Sequence, residues 1–339
     1  MQDSSVSRTH NSLASPAIAP GRIVACLDRS RLSQRVAQHA LAIASALGTP
    51  VTLLQVLEAG PAGATRADPL EWDIRRYEAR CSLEPLAAGL CDEAGRVDAE
   101  IVEGHAAEQI CLWAADHAAG LVVVGAHGEG RLTDDGLGNT ARTVLDRIPG
   151  SVLLVPAADN SAAARQDVRY RRLLVPVDGS SRAESVLPFA IRVAEAAQAE
   201  LLIACAIPVP ELIEYGPLEP DDIEMRERVV HRNERVAEEY LSRLRGYVAL
   251  KGLRARTMTL RDDDVRSCLA RFIAEENVDL VILSAHGHSG RTDAPYGSVT
   301  AHLIGHSPVP LLIVRNHLAA AQHGANANPA GVQLVNLSA

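Results

Sequence analysis

Two short stretches of this 339-residue chain carry residue types that could hold phosphate, and they are spelled almost alike. Gly125-Ala126-His127-Gly128 is followed by nine residues and then Gly138-Asn139. Ser284-Ala285-His286-Gly287, 159 positions further on, is followed by nine residues and then Gly297-Ser298. Each stretch follows an apolar run and leads into a helix-like segment and then another apolar run. Glycine lets backbone N–H groups converge, and a helix start adds unpaired donors, so such a loop between a strand and a helix can cradle an anion. One copy is a weak signal. Two copies with matched spacing and matched flanks predict a duplicated nucleotide-binding fold.

The elements that must hold these loops follow from hydrophobic periodicity. In the first half, strands are predicted over 22–28, 51–57, 97–102, 121–125 and 152–155, with helices over 32–47, 69–93, 106–117 and 140–147. The second half repeats the series: strands over 172–178, 201–207, 254–260, 280–284 and 311–315, and helices over 183–197, 219–250, 265–276 and 299–306. Strands alternating with helices imply a parallel sheet with right-handed crossovers. The predicted class is therefore α/β, with two tandem five-stranded parallel-sheet domains of Rossmann-like type over 21–156 and 172–315. Residues 157–171 read as a linker, 1–20 as a disordered segment and 316–339 as a flexible tail. Within that tail, 331–337 could add an edge strand that the sequence does not place.

Composition narrows the function classes. The length accommodates two domains of ordinary size, and about 150 residues can bury roughly 68–70% of their extended-chain surface. Hydrophobic residues make up 47% of the chain but aromatics only 3%, which suits aliphatic parallel strands under Ala-rich helices. The net charge of −9 argues against a nucleic-acid partner, which would want a basic stripe. It leaves room for a small anionic ligand, because screening over about 8 Å makes local donors decisive. The six cysteines are scattered without a C-x-x-C and read as small core residues in a reducing compartment. No apolar run approaches the roughly 18 residues of a membrane span, and residues 1–20 do not read as a signal peptide, so a cytoplasmic protein without a membrane partner is expected.

The motif residues bear a family resemblance. Leu173-Leu174-Val175-Pro176-Val177-Asp178-Gly179-Ser180 resembles the first strand of the universal stress protein family. The stretch from Leu280 to Val314, with its G-x-x-G-like loop, nine-residue spacer, Gly297-Ser298-Val299 and Pro308-Val309-Pro310, is similar to that family's C-terminal half. The first half resembles it through Asp28, Gly125, Gly128 and Gly138. The resemblance covers about 20–156 and 170–315 and implies a tandem member whose fold is that of the adenine nucleotide alpha hydrolases. It further implies ATP, with Mg²⁺, in a cleft at the carboxyl ends of the strands, which is also where open α/β sheets generally bind ligands. The residues implied to line it are Pro176, Val177, Asp178, Ser284, Ala285, Gly287, Gly297, Ser298 and Val299 in the second half. In the first half they are Asp28, Gly125, Ala126, Gly128, Gly138 and Asn139. The strand-end aspartate would accept from adenine or ribose, backbone N–H groups around Gly287 and Gly297-Ser298 would meet phosphates, and Ser298 and Asn139 are expected as helix N-caps. The resemblance also implies fifth strands that pair across a dimer interface, as a homodimer or, in a tandem chain, as an internal pseudo-dimer.

Both copies depart from the pattern. Ser284 stands where the family has glycine and is expected to crowd the phosphates; Asn139 stands where it has Ser or Thr. The first strand of the first half, Ala25-Cys26-Leu27-Asp28-Arg29, lacks the proline and glycine of its counterpart. These spellings favour the second half as the ATP site and leave the first evenly balanced. Asp134 and Asp293 occupy equivalent loop positions, where they would repel phosphate, help hold Mg²⁺ or simply face solvent. Asp262-Asp263-Asp264 reads as a cap for the following helix. His286-Gly287-His288 follows the fourth strand rather than the first, so it is not read as a nucleotidyltransferase motif. His302 and His306 read as a helix face, Cys81 and Cys91 as packing residues, and the alternating charges over 224–245 as a solvated helix. No general base, nucleophile or metal ligand is assigned, so hydrolysis is expected to be slow or absent. The leading function is a nucleotide-dependent regulator in a stress response that acts on a protein partner the sequence does not name. An ATP hydrolase or adenylyl transferase on the same fold, and a nucleotide-free dimerisation scaffold, are the alternatives.

Overall fold

The computed structural model describes residues 21–58, 68–90, 97–128, 137–157, 168–209, 220–262, 264–287 and 295–315. Asp134, Asp293, Asp263, His288, Cys91, most of the linker and both chain ends lie outside the described residues. The first half runs β1 (Arg22–Leu27), α1 (Leu32–Leu47), β2 (Val51–Leu57), α2 (Pro69–Leu90), β3 (Val97–Glu103), α3 (Ala106–Asp116), β4 (Ala119–Gly125), α4 (Asn139–Arg147) and β5 (Ser151–Val155). The second runs β6 (Arg172–Val177), α5 (Ser181–Glu184), α6 (Leu187–Ala197), β7 (Glu200–Pro208), α7 (Pro220–Leu250), β8 (Ala255–Asp262), α8 (Val265–Glu275), β9 (Leu280–Ser284), α9 (Ser298–His306) and β10 (Leu311–Val314).

The described strands form one ten-stranded sheet in the order β3-β2-β1-β4-β5-β10-β9-β6-β7-β8. Each half is parallel throughout, and the halves meet at a single antiparallel seam where Leu311, Leu312 and Ile313 of β10 face Leu154, Leu153 and Val152 of β5. The expected internal pseudo-dimer is thus a continuous sheet, and the seam covers what would otherwise be two open edges. Central strands are buried on both faces, which is why they read as unbroken apolar runs. The first half's α1 and α2 and the second half's α5 and α6 share one apolar core with β1 and β6, while Ile110 and Val144 share the opposite core with Phe272 and Leu303.

The first helix of the second half is not the continuous 183–197 segment that periodicity predicts. It breaks at Ser185-Val186, because Pro188 opens α6. Its ring cannot follow a helical carbonyl at Glu184, and α5 stops at that residue. Cys81 also departs from expectation: it is exposed rather than packed, whereas Cys205 and Cys268 are buried.

Candidate functional site

Within each half the strand order reverses between its first and fourth strands, and the two glycine loops leave the sheet beside that point. The same backbone bonds shape both. Ala126 N–H donates to Val155 O at 2.7 Å and Gly138 N–H to Ala126 O at 2.7 Å; Ala285 N–H donates to Val314 O at 3.2 Å and Gly297 N–H to Ala285 O at 2.9 Å. Gly138 and Gly297 are extended, with φ/ψ of −71/153° and −66/159°, and they occupy the helix cap positions without a side-chain capping bond. Asn139 and Ser298 are therefore the first helical residues, not the N-caps the sequence leads one to expect. The N–H of Gly297 is also spent on the loop itself. The donors left for a phosphate are those of the first helical turn, Ser298 and Val299 in one half and Asn139 and Thr140 in the other.

The second loop glycine packs against the strand-end aspartate. A methyl group at Gly128 would lie 2.8 Å from Asp28 Oδ2, and one at Gly287 would overlap the Asp178 carboxylate. Those carboxylates are held in place: Asp28 Oδ1 accepts from Ser30 N–H at 2.9 Å and Ser33 Oγ at 2.8 Å, and Asp178 Oδ1 from Ser180 N–H at 3.0 Å and Ser180 Oγ at 2.6 Å. Asp28 is half-buried and Asp178 exposed. Gly125 has its own neighbour, Leu32, whose side chain would meet an added methyl at 2.7 Å. Ser284 stands at the equivalent place, and its hydroxyl donates to His286 O at 2.7 Å. That bond turns it into the loop backbone, in place of the expected crowding of the phosphates.

In the first half these parts enclose a cleft of about 590 Å³, a size that suits a small organic ligand. Asp28, Gly125, Ala126, Gly128, Gly138 and Asn139 all line it, so the structure brings together every residue expected there. Residues not singled out by sequence join them: Cys26 on the floor, Gln55 and Glu58 from the end of β2, and Arg75 from α2. The end of β2 was findable, since ligands sit at strand carboxyl ends; nothing local marks Arg75. Glu58 Oε1 accepts from Ala106 N–H at 2.7 Å, so a carboxylate already fills the start of α3. Both ring nitrogens of His127, on the cleft wall, are buried without a hydrogen-bond partner. Burial pushes the Cys26 thiol far above its ordinary value, with a smaller contribution from Cys111, so it is neutral.

In the second half Asp178, Ala285, Gly287 and Gly297 gather around the loop, with Ser298 and Val299 opening α9. Val177 packs in the core, and Pro176 pairs with Ala204 of β7. As expected, an aspartate caps the next helix: Asp264 accepts from Arg266 N–H at 3.1 Å and from Ser267 Oγ at 2.7 Å. The Ser267 and Arg266 bonds hold its carboxyl down to about 2. His306 Nδ1 lies 2.9 Å from His302 O, with the two rings stacked at 4.5 Å, the helix-face arrangement read from their spacing. Among the described residues no three His, Cys, Asp or Glu side chains gather as a metal-ligand set, and no helix is long and apolar enough to cross a membrane.

Comparison with known proteins agrees with this architecture. The universal stress protein family model matches twice, over residues 20–156 and 169–315. A universal stress protein of Mycolicibacterium smegmatis is 26% identical over 302 residues, 86% of this chain and 96% of its own length. Among solved structures, a universal stress protein from Archaeoglobus fulgidus aligns with a TM-score of 0.59 at 16% identity, covering 88% of this chain and 97% of that one. A protein of unknown function from Pseudomonas aeruginosa aligns with a TM-score of 0.62 at 15% identity, covering 90% and 96%. At these identities the structures speak for the fold alone.

Proposed function

Because the chain belongs to the universal stress protein family, with two copies of its domain in tandem, we propose that it binds ATP and serves as a nucleotide-dependent regulator in a stress response. The observation that carries this reading is the first-half cleft, where the phosphate loop, the strand-end aspartate and the start of α4 converge on one space. Elimination supports the placing of the phosphates. Of the helix starts that line the cleft, that of α1 is closed by the Asp28 carboxylate and the Ser30 hydroxyl and that of α3 holds the Glu58 carboxylate, which leaves the first turn of α4 for an anion.

Asp28 Oδ1 is committed to the turn that follows β1, and its carboxylate lies against Gly128 at the cleft wall. It orients the loop and presents negative charge to ligand hydroxyl or amino donors rather than to phosphate. Mg²⁺ would ride on the phosphate oxygens, for which one or two carboxylates suffice. The output is a state of the protein recognised by a regulatory partner, and a further homodimer would build on the internal seam.

The test is native mass spectrometry of the full chain with and without Mg-ATP, in the wild type and in Gly138→Glu and Gly297→Glu. A methyl at Gly297 makes only ordinary contacts, at 3.6 Å and beyond, and one at Gly138 comes within 3.3 Å of Ala126 O, so both variants are expected to fold. Each should lose the nucleotide of its own half. Absence of nucleotide from the wild type at millimolar Mg-ATP would leave the nucleotide-free scaffold as the reading.

A further inference from the structure

Tyr296 and Arg315 come from the second half but end on a helix of the first. The Tyr296 hydroxyl donates to Leu145 O at 2.6 Å. The Arg315 guanidinium donates to the same carbonyl at 2.6 Å and to Ile148 O. It also donates to the Tyr296 oxygen and lies over that ring, 5.0 Å from its centroid. Leu145 is in the last turn of α4, and Ile148 is its C-cap. The last carbonyls of a helix lack intrahelical partners, and a cation there complements the negative end of the dipole.

Both ends of this contact belong to phosphate loops. The opposite end of α4 opens at Asn139 and Thr140, which line the first-half cleft. Tyr296 directly precedes Gly297, whose N–H closes the second-half loop on Ala285. Among the described residues the link has no mirror image. Sheet register and loop spacing put Leu137 and Pro156 where the second half has Tyr296 and Arg315, and neither side chain has a donor to offer α9.

We propose that Tyr296 and Arg315 are positioning residues that couple the two nucleotide sites. Occupancy of the second-half loop fixes Tyr296, which holds the C-terminal end of α4 and so sets the donors that α4 presents to phosphate in the first half. The inference rests on the nucleotide-binding reading above. Coupling by linkage is reciprocal in affinity even though the contacts run one way.

The experiment is a Mg-ATP titration of the full chain followed by native mass spectrometry. The overall two-site constant is divided by the product of the single-site constants measured in Gly138→Glu and Gly297→Glu. The quotient should be about fivefold or more in the wild type and should fall to one in a Tyr296→Phe or Arg315→Gln background. Arg315→Lys, which keeps the charge but not the planar fork, should fall between. Amide exchange over residues 144–148 gives a readout independent of the first site. In Gly138→Glu, Mg-ATP bound in the second half should slow exchange there, and Tyr296→Phe should abolish the slowing. A quotient of one in the wild type, a quotient unchanged by Tyr296→Phe, or a single nucleotide at saturation overturns the coupling and leaves nucleotide binding intact. A wild type that takes no nucleotide removes both.

Discussion

The two halves close their loops with the same backbone bonds and surround them with different chemistry. In the first, Gly125 packs on Leu32, the strand-end aspartate is half-buried, and α2 is a helix of 22 residues. In the second, Ser284 is tied to the loop carbonyl of His286, the aspartate is exposed, and α7 runs for 31 residues. What the repeated motif encodes is therefore the clasp, meaning Gly138 on Ala126 and Gly297 on Ala285. The ligand-facing wall is encoded elsewhere, by strand ends and outer helices that the motif does not mention. The second half matches the family spelling more closely, while in the first half the described residues line a cleft of about 590 Å³.

The largest difference to exploit lies at the second loop glycine. Gly287→Ala would drive a methyl into the Asp178 carboxylate, which Ser180 holds through two bonds. Overpacking of a core costs about 1–3 kcal/mol, and a cost inside that range is expected here because the exposed carboxylate must give up its Ser180 bonds to move aside. Gly128→Ala meets Asp28 at 2.8 Å and should cost less, whereas Gly297→Ala, with its nearest new neighbour at 3.6 Å, should be close to neutral. Denaturant melts of the three variants rank them. An order other than 287, 128, 297 would mean that the aspartates, not the glycines, yield.

Much of this was legible because the relevant physics is local. Buried parallel strands announce themselves as unbroken apolar runs, such as Leu121 to Val124 of β4, and close backbone approach announces itself as glycine. The helix caps misled for a local reason as well: Asn139 and Ser298 are better caps than glycine by propensity, but the backbone bond that closes each clasp makes the preceding extended residue the cap and moves them one residue into the helix. The rest depends on placement. Glu58 reaches the start of α3 across 48 residues, and Tyr296 reaches Leu145 across 151. The second contact exists only because β5 and β10 are seamed together, and no window of sequence contains both partners.

A second contrast concerns the face where α1 and α6 meet. Counting from the paired first strands, His39 of α1 occupies the place of Phe189 in α6, and both are buried. His39 Nδ1 lies 2.9 Å from the hydroxyl of Tyr170, two residues before β6. Burial, with a contribution from the Arg35 charge, lowers its pKa to about 3. The unfolded chain takes up a proton near pH 6.5 that the folded chain refuses until about 3. Stability is thus full above pH 6.5 and falls as pH drops through that window, by about 2 kcal/mol between pH 7 and 5. Replacing the pair with its apolar counterpart, His39→Phe with Tyr170→Phe, should flatten that stretch of the stability curve. A slope unchanged in the double variant would assign the acid sensitivity to other groups.

The smallest contrast is at the end of the same two helices. Gly48 terminates α1 in the left-handed region at φ 65°, and Gln198 terminates α6 in the same conformation at φ 52°. Glycine takes this position without strain, whereas a side chain there costs on the order of 1 kcal/mol. Gln198 recovers part of that cost, since its amide donates to Glu195 O at 2.9 Å. Gln198→Gly gives up that bond and adds chain entropy to the unfolded state. The net gain is expected to be a few tenths of a kcal/mol, up to about 1, with nucleotide binding unaffected. Gly48→Gln, the reverse exchange, puts its amide within the same reach of Ser45 O, the backbone carbonyl equivalent to Glu195 O, and should destabilise by about as much as Gln198→Gly stabilises. Melting both variants beside the wild type compares the two shifts, and a larger loss at Gly48 would show that Ser45 O does not take the place of Glu195 O.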